Sequence, residues 1–148
     1  MKQTKKKVVW LVAFLGINTI GLCAEPFAVG PYLGQTPPGS TAQVFAPGLI
    51  CHAGPRQYEA WGTFSADGNT FCFMRGTGVF ITENTDQGWT APEHIKSIPW
   101  NLWLPWSPCL SPDANSIYFT RASRPVSKCN VYRCNRTARG WSRPQQLG

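Results

Sequence analysis

The sequence holds little of what metal proteins and most enzymes use. Charged residues make up 14% of its 148 residues, and its only two histidines are His52 and His94. Its six cysteines never form a Cys-x-x-Cys pair, so a zinc site has few candidate ligands. A two-carboxylate hydrolase needs a close pair, and nothing in the spacing of Glu59, Glu83 and Glu93 pairs any two of them. We therefore predict no metal, no cofactor and no catalytic residue.

A sustained apolar period of 3.6 residues is also missing beyond the first 24 residues, so the sequence predicts no amphipathic helix there. Those first residues have the three parts of a secretory signal: Lys5–Lys7, an apolar run over residues 8–17, and a small residue at Ala24. Asn18 and Thr19 interrupt the run, which makes it short for a membrane span. We expect residues 1–24 to be a signal peptide and the chain to be exported to the periplasm or cell envelope. Leu22 departs from the small residue usual before a lipidated cysteine, which argues against a lipid anchor at Cys23.

Basic character is weaker than the net charge of +7 implies, because four lysines belong to the signal segment. From Glu25 onward ten basic residues stand against seven acidic ones, in no recognisable nucleic-acid-binding module. We expect no nucleic-acid partner. Five cysteines would remain after export to an oxidising compartment, and five cannot all pair within one chain.

What the chain does contain is a repeat. Residues 64–73 and residues 110–119 share most of their pattern of residue types. Arg75 corresponds to Arg121 at the same offset of 46. Residues 88–92 return at 140–144 at an offset of 52, so the second copy is six residues longer. A repeat of this length, with several short strands per copy, is typical of a β-propeller blade.

Each copy predicts four short strands with one well-defined turn. Asp67 and Gly68 form this turn in the first copy, and Asp113 and Asn115 in the second, because Asp bonds nearby backbone N–H groups and Gly or Asn tolerates a positive φ. Their recurrence at one repeat position favours a structural role in the turn over a catalytic one. Residues 44–50 align with residues 89–95 and 141–147, which predicts one additional outer strand that has no sheet of its own.

The turn at residues 111–113, followed by the aromatic strand at 117–119, resembles the TolB-like, WD-repeat-like β-propeller proteins of bacterial envelopes. Residues 31–39 and 45–48 are similar to the N-terminus of exported members of that group. The sequence departs from the pattern at Ala66, where proline is usual, and at Ala114, where glycine is usual. The resemblance implies an all-β fold of two four-stranded antiparallel blades in an incomplete ring.

We expect a signal peptide (1–24), an extended lead-in (25–43) and propeller repeats (44–148), with blade one at about 58–95 and blade two at about 104–148. Open blade flanks would leave room for self-association. The resemblance implies binding or scaffolding, with a protein or an envelope glycan as partner. A glycan hydrolase of the sialidase-like propeller type is the alternative.

One local feature lies outside the repeat. Trp100, Trp103 and Trp106 fall within seven residues, between the two copies. Exposed tryptophans stack on sugars or anchor protein interfaces, so these three are the candidate ligand-binding residues. The alternative is that they fill the wedge between two neighbouring blades.

Overall fold

The computed structural model describes residues 27–51, 58–98, 105–123 and 128–148. These ranges contain ten strands, one short 3-10 helix at Pro31–Gly34 and no α-helix. The strands are β1 (Glu59–Phe64), β2 (Thr70–Arg75), β3 (Gly78–Thr85), β4 (Gly88–Trp89), β5 (Glu93–His94), β6 (Pro105–Leu110), β7 (Ser116–Ser123), β8 (Lys128–Thr137), β9 (Gly140–Trp141) and β10 (Gln145–Leu147). The prediction of an all-β chain is confirmed. Within the described ranges, no helix is long and apolar enough to cross a membrane.

Each copy of the repeat forms its own antiparallel sheet. The first sheet has the order β1-β2-β3-β4 with β5 also on β3, and the second has the order β6-β7-β8-β10 with β9 also on β8. Each sheet has five strands rather than the predicted four, because the fourth is interrupted before Pro92 in one copy and Pro144 in the other. Proline has no N–H to donate to a ladder, so pairing stops and resumes beyond it.

The two sheets lie face to face and share a core. Successive residues of a strand point to opposite faces, so each sheet has an odd face and an even face, named by the residue numbers on β2 and β7. Phe71 and Phe73 lie on the odd face of the first sheet, and Ile117 and Phe119 on that of the second. The even face of the first sheet packs against the odd face of the second, forming one cluster of buried side chains: Cys72, Val79, Ile81, Ile95, Ile98, Leu110, Ile117, Phe119 and Cys134.

The prediction that residues 44–50 form an outer strand is wrong. These residues contain bends, an isolated bridge and a turn, with Ile50 N–H donating to the Ala46 carbonyl at 2.9 Å. Gly48 has a φ of 79°, and proline precedes it, so the chain folds back on itself instead of extending. Ala46 and Ile50 are buried against Phe71 and Phe73 on the odd face of the first sheet.

The outer edge of the first sheet is instead bordered by the beginning of the lead-in. Phe27 N–H donates to the Trp89 carbonyl at 2.9 Å, and Trp89 N–H donates to the Ala28 carbonyl at 2.7 Å. The indole Nε1 of Trp89 donates to the Gly30 carbonyl at 2.7 Å. Residues 27–51, which are called the lead-in from here on, therefore cover both the odd face and one edge of the first sheet.

The first strand of each sheet carries the same backbone bulge. Trp61 has a φ of 51° and Ser107 a φ of 50°, and the pairing register shifts at both places. These two residues are 46 positions apart, as the repeat requires. A positive φ is costly for a residue with a side chain, and neither residue type signals it, so the sequence did not predict these bulges.

The predicted turn residues lie in two closely matched turns. In the first, Ser65 Oγ donates to Asp67 Oδ1 at 2.5 Å and Asn69 N–H donates to the same oxygen at 3.0 Å. In the second, Ser111 Oγ donates to Asp113 Oδ1 at 2.6 Å, and Asn115 donates to Asp113 from its backbone and its side chain. The serine hydroxyl holds the pKa of each aspartate below its usual value.

These turns yield the first prediction. Gly68 and Ala114 occupy the same left-handed position, with φ of 72° and 58°. Glycine adopts this conformation freely and alanine does not. We expect Ala114→Gly to raise the free energy of unfolding by roughly 0.5–1 kcal/mol, and Gly68→Ala to lower it by about 1 kcal/mol. A Cβ at Gly68 would meet nothing within 4 Å, so backbone strain alone is tested.

The measurement is a pair of urea unfolding curves against the parent chain. Opposite signs at the two repeat-equivalent positions support the turn geometry, and a neutral Gly68→Ala would contradict it.

Candidate functional site

A groove of about 570 Å³ opens between the two sheets, where their outer strands face each other. Strands β3 and β5 supply one wall, and the ends of β8 and β9 supply the other. Its polar lining carries both signs of charge, from Glu83, Glu93, Lys96, Arg136 and Arg139. The groove exists because the two sheets stack, so it is built from both copies of the repeat.

Arg136 organises the centre of this groove. Its guanidinium donates to Glu83 Oε1 at 2.5 Å, which joins the second sheet to the first. Its Nε donates to the Ala114 carbonyl at 3.2 Å, and its guanidinium carbon lies 4.9 Å from the centre of the Trp141 ring. Both members of the ion pair are more than a third exposed, so the pair contributes about 0–1 kcal/mol to stability. Its main effect is to hold the Trp141 ring and the guanidinium in contact.

Further polar groups line the opposite wall. The imidazole of His94 is not one of them, because it packs against Phe80 on the odd face of the first sheet, which is turned away from the second sheet, with ring centres 5.2 Å apart. Ser97 Oγ is buried at the groove without a hydrogen-bond partner among the described residues. Such a hydroxyl is costly to leave unpaired, and a polar ligand could satisfy it.

The ligand-binding residues predicted from the sequence are not those of the groove. Trp100 and Trp103 lie outside the described residues. Trp106 lies in β6, where its backbone pairs with Thr120. Because two of the three residues lie outside the described part of the chain, their ligand-binding role stays a prediction.

The groove residue Trp141 was not identified from the sequence. Trp89 and Trp141 are repeat-equivalent, yet Trp89 is buried at 1% exposure under the lead-in while Trp141 is half-buried at the groove. The lead-in covers Trp89 and not Trp141, and the prediction of an outer strand at residues 44–50 did not anticipate this. No local signal in the sequence separates the two copies, because their motifs are similar and only their tertiary surroundings differ.

Arg75, which recurs in the repeat, stabilises the fold. Arg75 donates to the carbonyls of Leu49 at 3.1 Å and Ile50 at 3.0 Å, and pairs with Glu59 at 3.4 Å. The five described cysteines are free thiols, and burial raises the pKa of Cys134 to about 11. No three His, Cys, Asp or Glu side chains of the described residues are grouped to hold a metal ion.

Fold and groove together define a class: an all-β protein of two stacked antiparallel repeat sheets with a mixed-charge groove between them. Comparison with protein-family models, curated proteins and solved structures finds no match to this chain.

Proposed function

We propose that this chain is an exported, TolB-like repeat module of the β-propeller type that binds a glycan of the cell envelope in the groove between its sheets. The observation that carries the proposal is the Trp141–Arg136–Glu83 arrangement, in which an aromatic ring, a cation and a carboxylate lie at one groove.

A sugar has apolar C–H faces and a rim of hydroxyls, so its binding sites combine aromatic rings with hydrogen-bonding side chains. The Trp141 ring would supply the stacking surface. Glu93 and Ser97 lie along the facing wall and offer a carboxylate and a hydroxyl. Charges of both signs suit a ligand with amino-sugar and carboxylate groups, which envelope glycans carry.

Binding is favoured here over hydrolysis. A glycoside hydrolase needs a general acid that is available to protonate the leaving group, and Glu83 instead accepts a hydrogen bond from Arg136. A sialidase-type site gathers arginines around its substrate, and Arg75 is committed to backbone carbonyls of the lead-in. The alternative function therefore has no described arrangement in its favour.

The test is calorimetric titration of the purified chain with soluble peptidoglycan fragments. We expect saturable binding, and a dissociation constant at least about fivefold higher for Trp141→Ala, because truncating a stacked aromatic anchor costs more than about 1 kcal/mol. Trp61→Ala is the matched control, since Trp61 is 47% exposed and lies outside the groove.

The proposal fails if Trp141→Ala and Trp61→Ala bind the fragments as tightly as the parent chain. Release of reducing ends by the parent chain, lost on Glu83→Gln or Glu93→Gln, would replace binding with the hydrolase alternative.

A further inference from the structure

We infer that the outer edge of the second sheet, at β9, is a docking site for an extended peptide segment of another protein. The segment pairs with the main chain of Trp141 in the way that the lead-in pairs with the main chain of Trp89. The inference does not rest on glycan binding, because a sugar would stack on the face of the Trp141 ring, whereas the peptide pairs with the backbone of β9.

The first step is that the two copies of the repeat have matching outer edges. Gly88 and Gly140 have φ of 107° and 102°. Each glycine carbonyl accepts a hydrogen bond from a threonine hydroxyl, at 2.8 Å from Thr85 and at 3.0 Å from Thr137. In both copies, the residue after the tryptophan donates its N–H to the preceding strand at 2.9 Å. Because bonded and non-bonded positions alternate along an antiparallel strand, the main-chain groups of each tryptophan point away from its sheet.

The edge of the first sheet shows what such a site accepts. Trp89 exchanges two main-chain hydrogen bonds with Phe27 and Ala28, at 2.9 and 2.7 Å, and its indole Nε1 donates to the Gly30 carbonyl at 2.7 Å. The side chain of Val29, between these residues, is 68% exposed. The bound segment is therefore held by its main chain, which is the way that strand addition gives affinity.

The equivalent edge of the second sheet holds no such segment. Within the described ranges, neither the outward main-chain groups of Trp141 nor its indole N–H makes a hydrogen bond. Gly140 and Trp141 both line the groove of about 570 Å³, so there is space beside this edge. An edge with unpaired N–H and C=O groups is a template for a further strand.

The occupant is a segment of another protein rather than the lead-in of a second copy. Each copy already uses its own residues 27–30 on Trp89, which is 1% exposed beneath them. Moving them to Trp141 of another copy would break three hydrogen bonds in order to make three, and would uncover Trp89. The buried Leu33 and Ala46 also hold the lead-in on its own sheet. An exchange between copies therefore gains no contact, whereas a separate segment gains all of them.

The test is a nuclear magnetic resonance titration of the isotopically labelled full chain with an acetylated and amidated peptide of residues 26–31. We expect saturable shifts of the Trp141 amide and indole signals, with a dissociation constant of about millimolar or tighter, because three hydrogen bonds each contribute modestly. The Trp89 signals should stay in place, since that edge is occupied. Trp141→Phe keeps a ring but lacks the indole donor, so it should raise the dissociation constant about fivefold.

Two N-methylated peptides provide the matched control. Methylation of the amide nitrogen equivalent to Phe27 removes the donor to the tryptophan carbonyl, so we expect a dissociation constant about fivefold higher or more. The N–H of Val29 makes no main-chain hydrogen bond among the described residues. The peptide methylated there should bind as tightly as the unmodified one.

Equal affinity of the two methylated peptides would show that the main chain is not paired and would overturn the inference. It would also be overturned if the unmodified peptide left the Trp141 signals in place at about ten millimolar, a concentration above the expected dissociation constant. Trp141 signals that shift with the concentration of the chain alone would identify a second copy as the occupant, which contradicts the inference as well.

Discussion

Replacing Arg75 by alanine is expected to lower the free energy of unfolding by roughly 3–5 kcal/mol, because it leaves a buried carboxylate without its partner. The side chains of Arg75 and Glu59 are 20% and 10% exposed, so water replaces little of what is lost. The same guanidinium holds the lead-in through the Leu49 and Ile50 carbonyls. It also lies 5.2 Å from the centre of the Phe73 ring. The measurement is chemical denaturation followed by circular dichroism.

Two further variants test whether the loss of stability in Arg75→Ala comes from the unpaired buried charge. Arg75→Met combined with Glu59→Leu should be less destabilising than Arg75→Ala, because removing both charges leaves neither one buried alone. Arg143→Ala, at an exposed position, should change stability by less than about 0.5 kcal/mol. An Arg75→Ala variant as stable as Arg143→Ala would contradict the role assigned to this residue.

Replacing Ile117 by alanine is expected to cost about 2–5 kcal/mol, which is typical of truncating a buried side chain in a core that cannot collapse. Ile117 is 0% exposed and belongs to the cluster that both sheets share. Because the core is common, we expect both sheets to unfold in one transition. Denaturation followed by tryptophan fluorescence and by circular dichroism should therefore give coincident curves.

Val131→Ala is the matched control on the even face of the same sheet. In the monomer it truncates a side chain that is 43% exposed, so it should cost less than Ile117→Ala, by about 1 kcal/mol or more. Equal losses for Ile117→Ala and Val131→Ala would show that the second sheet does not pack on the first through its odd face.

The sheets were predictable from the sequence because the signals for them are local. The recurrence of Asp67 and Asp113 fixed two turns, and the strands around them follow from alternation and β-branched or aromatic residues. The division of the fourth strand at Pro92 and Pro144 was not predicted, although the missing N–H of proline explains it.

The lead-in and the groove were not predictable, because they depend on contacts distant in sequence. Residues 44–50 share a proline and apolar residues with two true outer segments, but Gly48 turns them onto Phe71 and Phe73. Once the lead-in covers Trp89, the equivalent Trp141 is the one left at the groove. Whether the tryptophan of each copy is buried depends on tertiary contacts, which two similar sequence motifs cannot reveal.

The most direct test of the central claim, that the two copies stack even face on odd face around one core, is a methyl–methyl NOE map of the monomeric chain. The stack predicts cross-peaks linking the methyl groups of Val79, Ile81 and Ile95 with those of Leu110 and Ile117. It predicts none from Val131 to the first three. Cross-peaks from Val131 to Val79 or Ile81, with none from Ile117, would contradict the account.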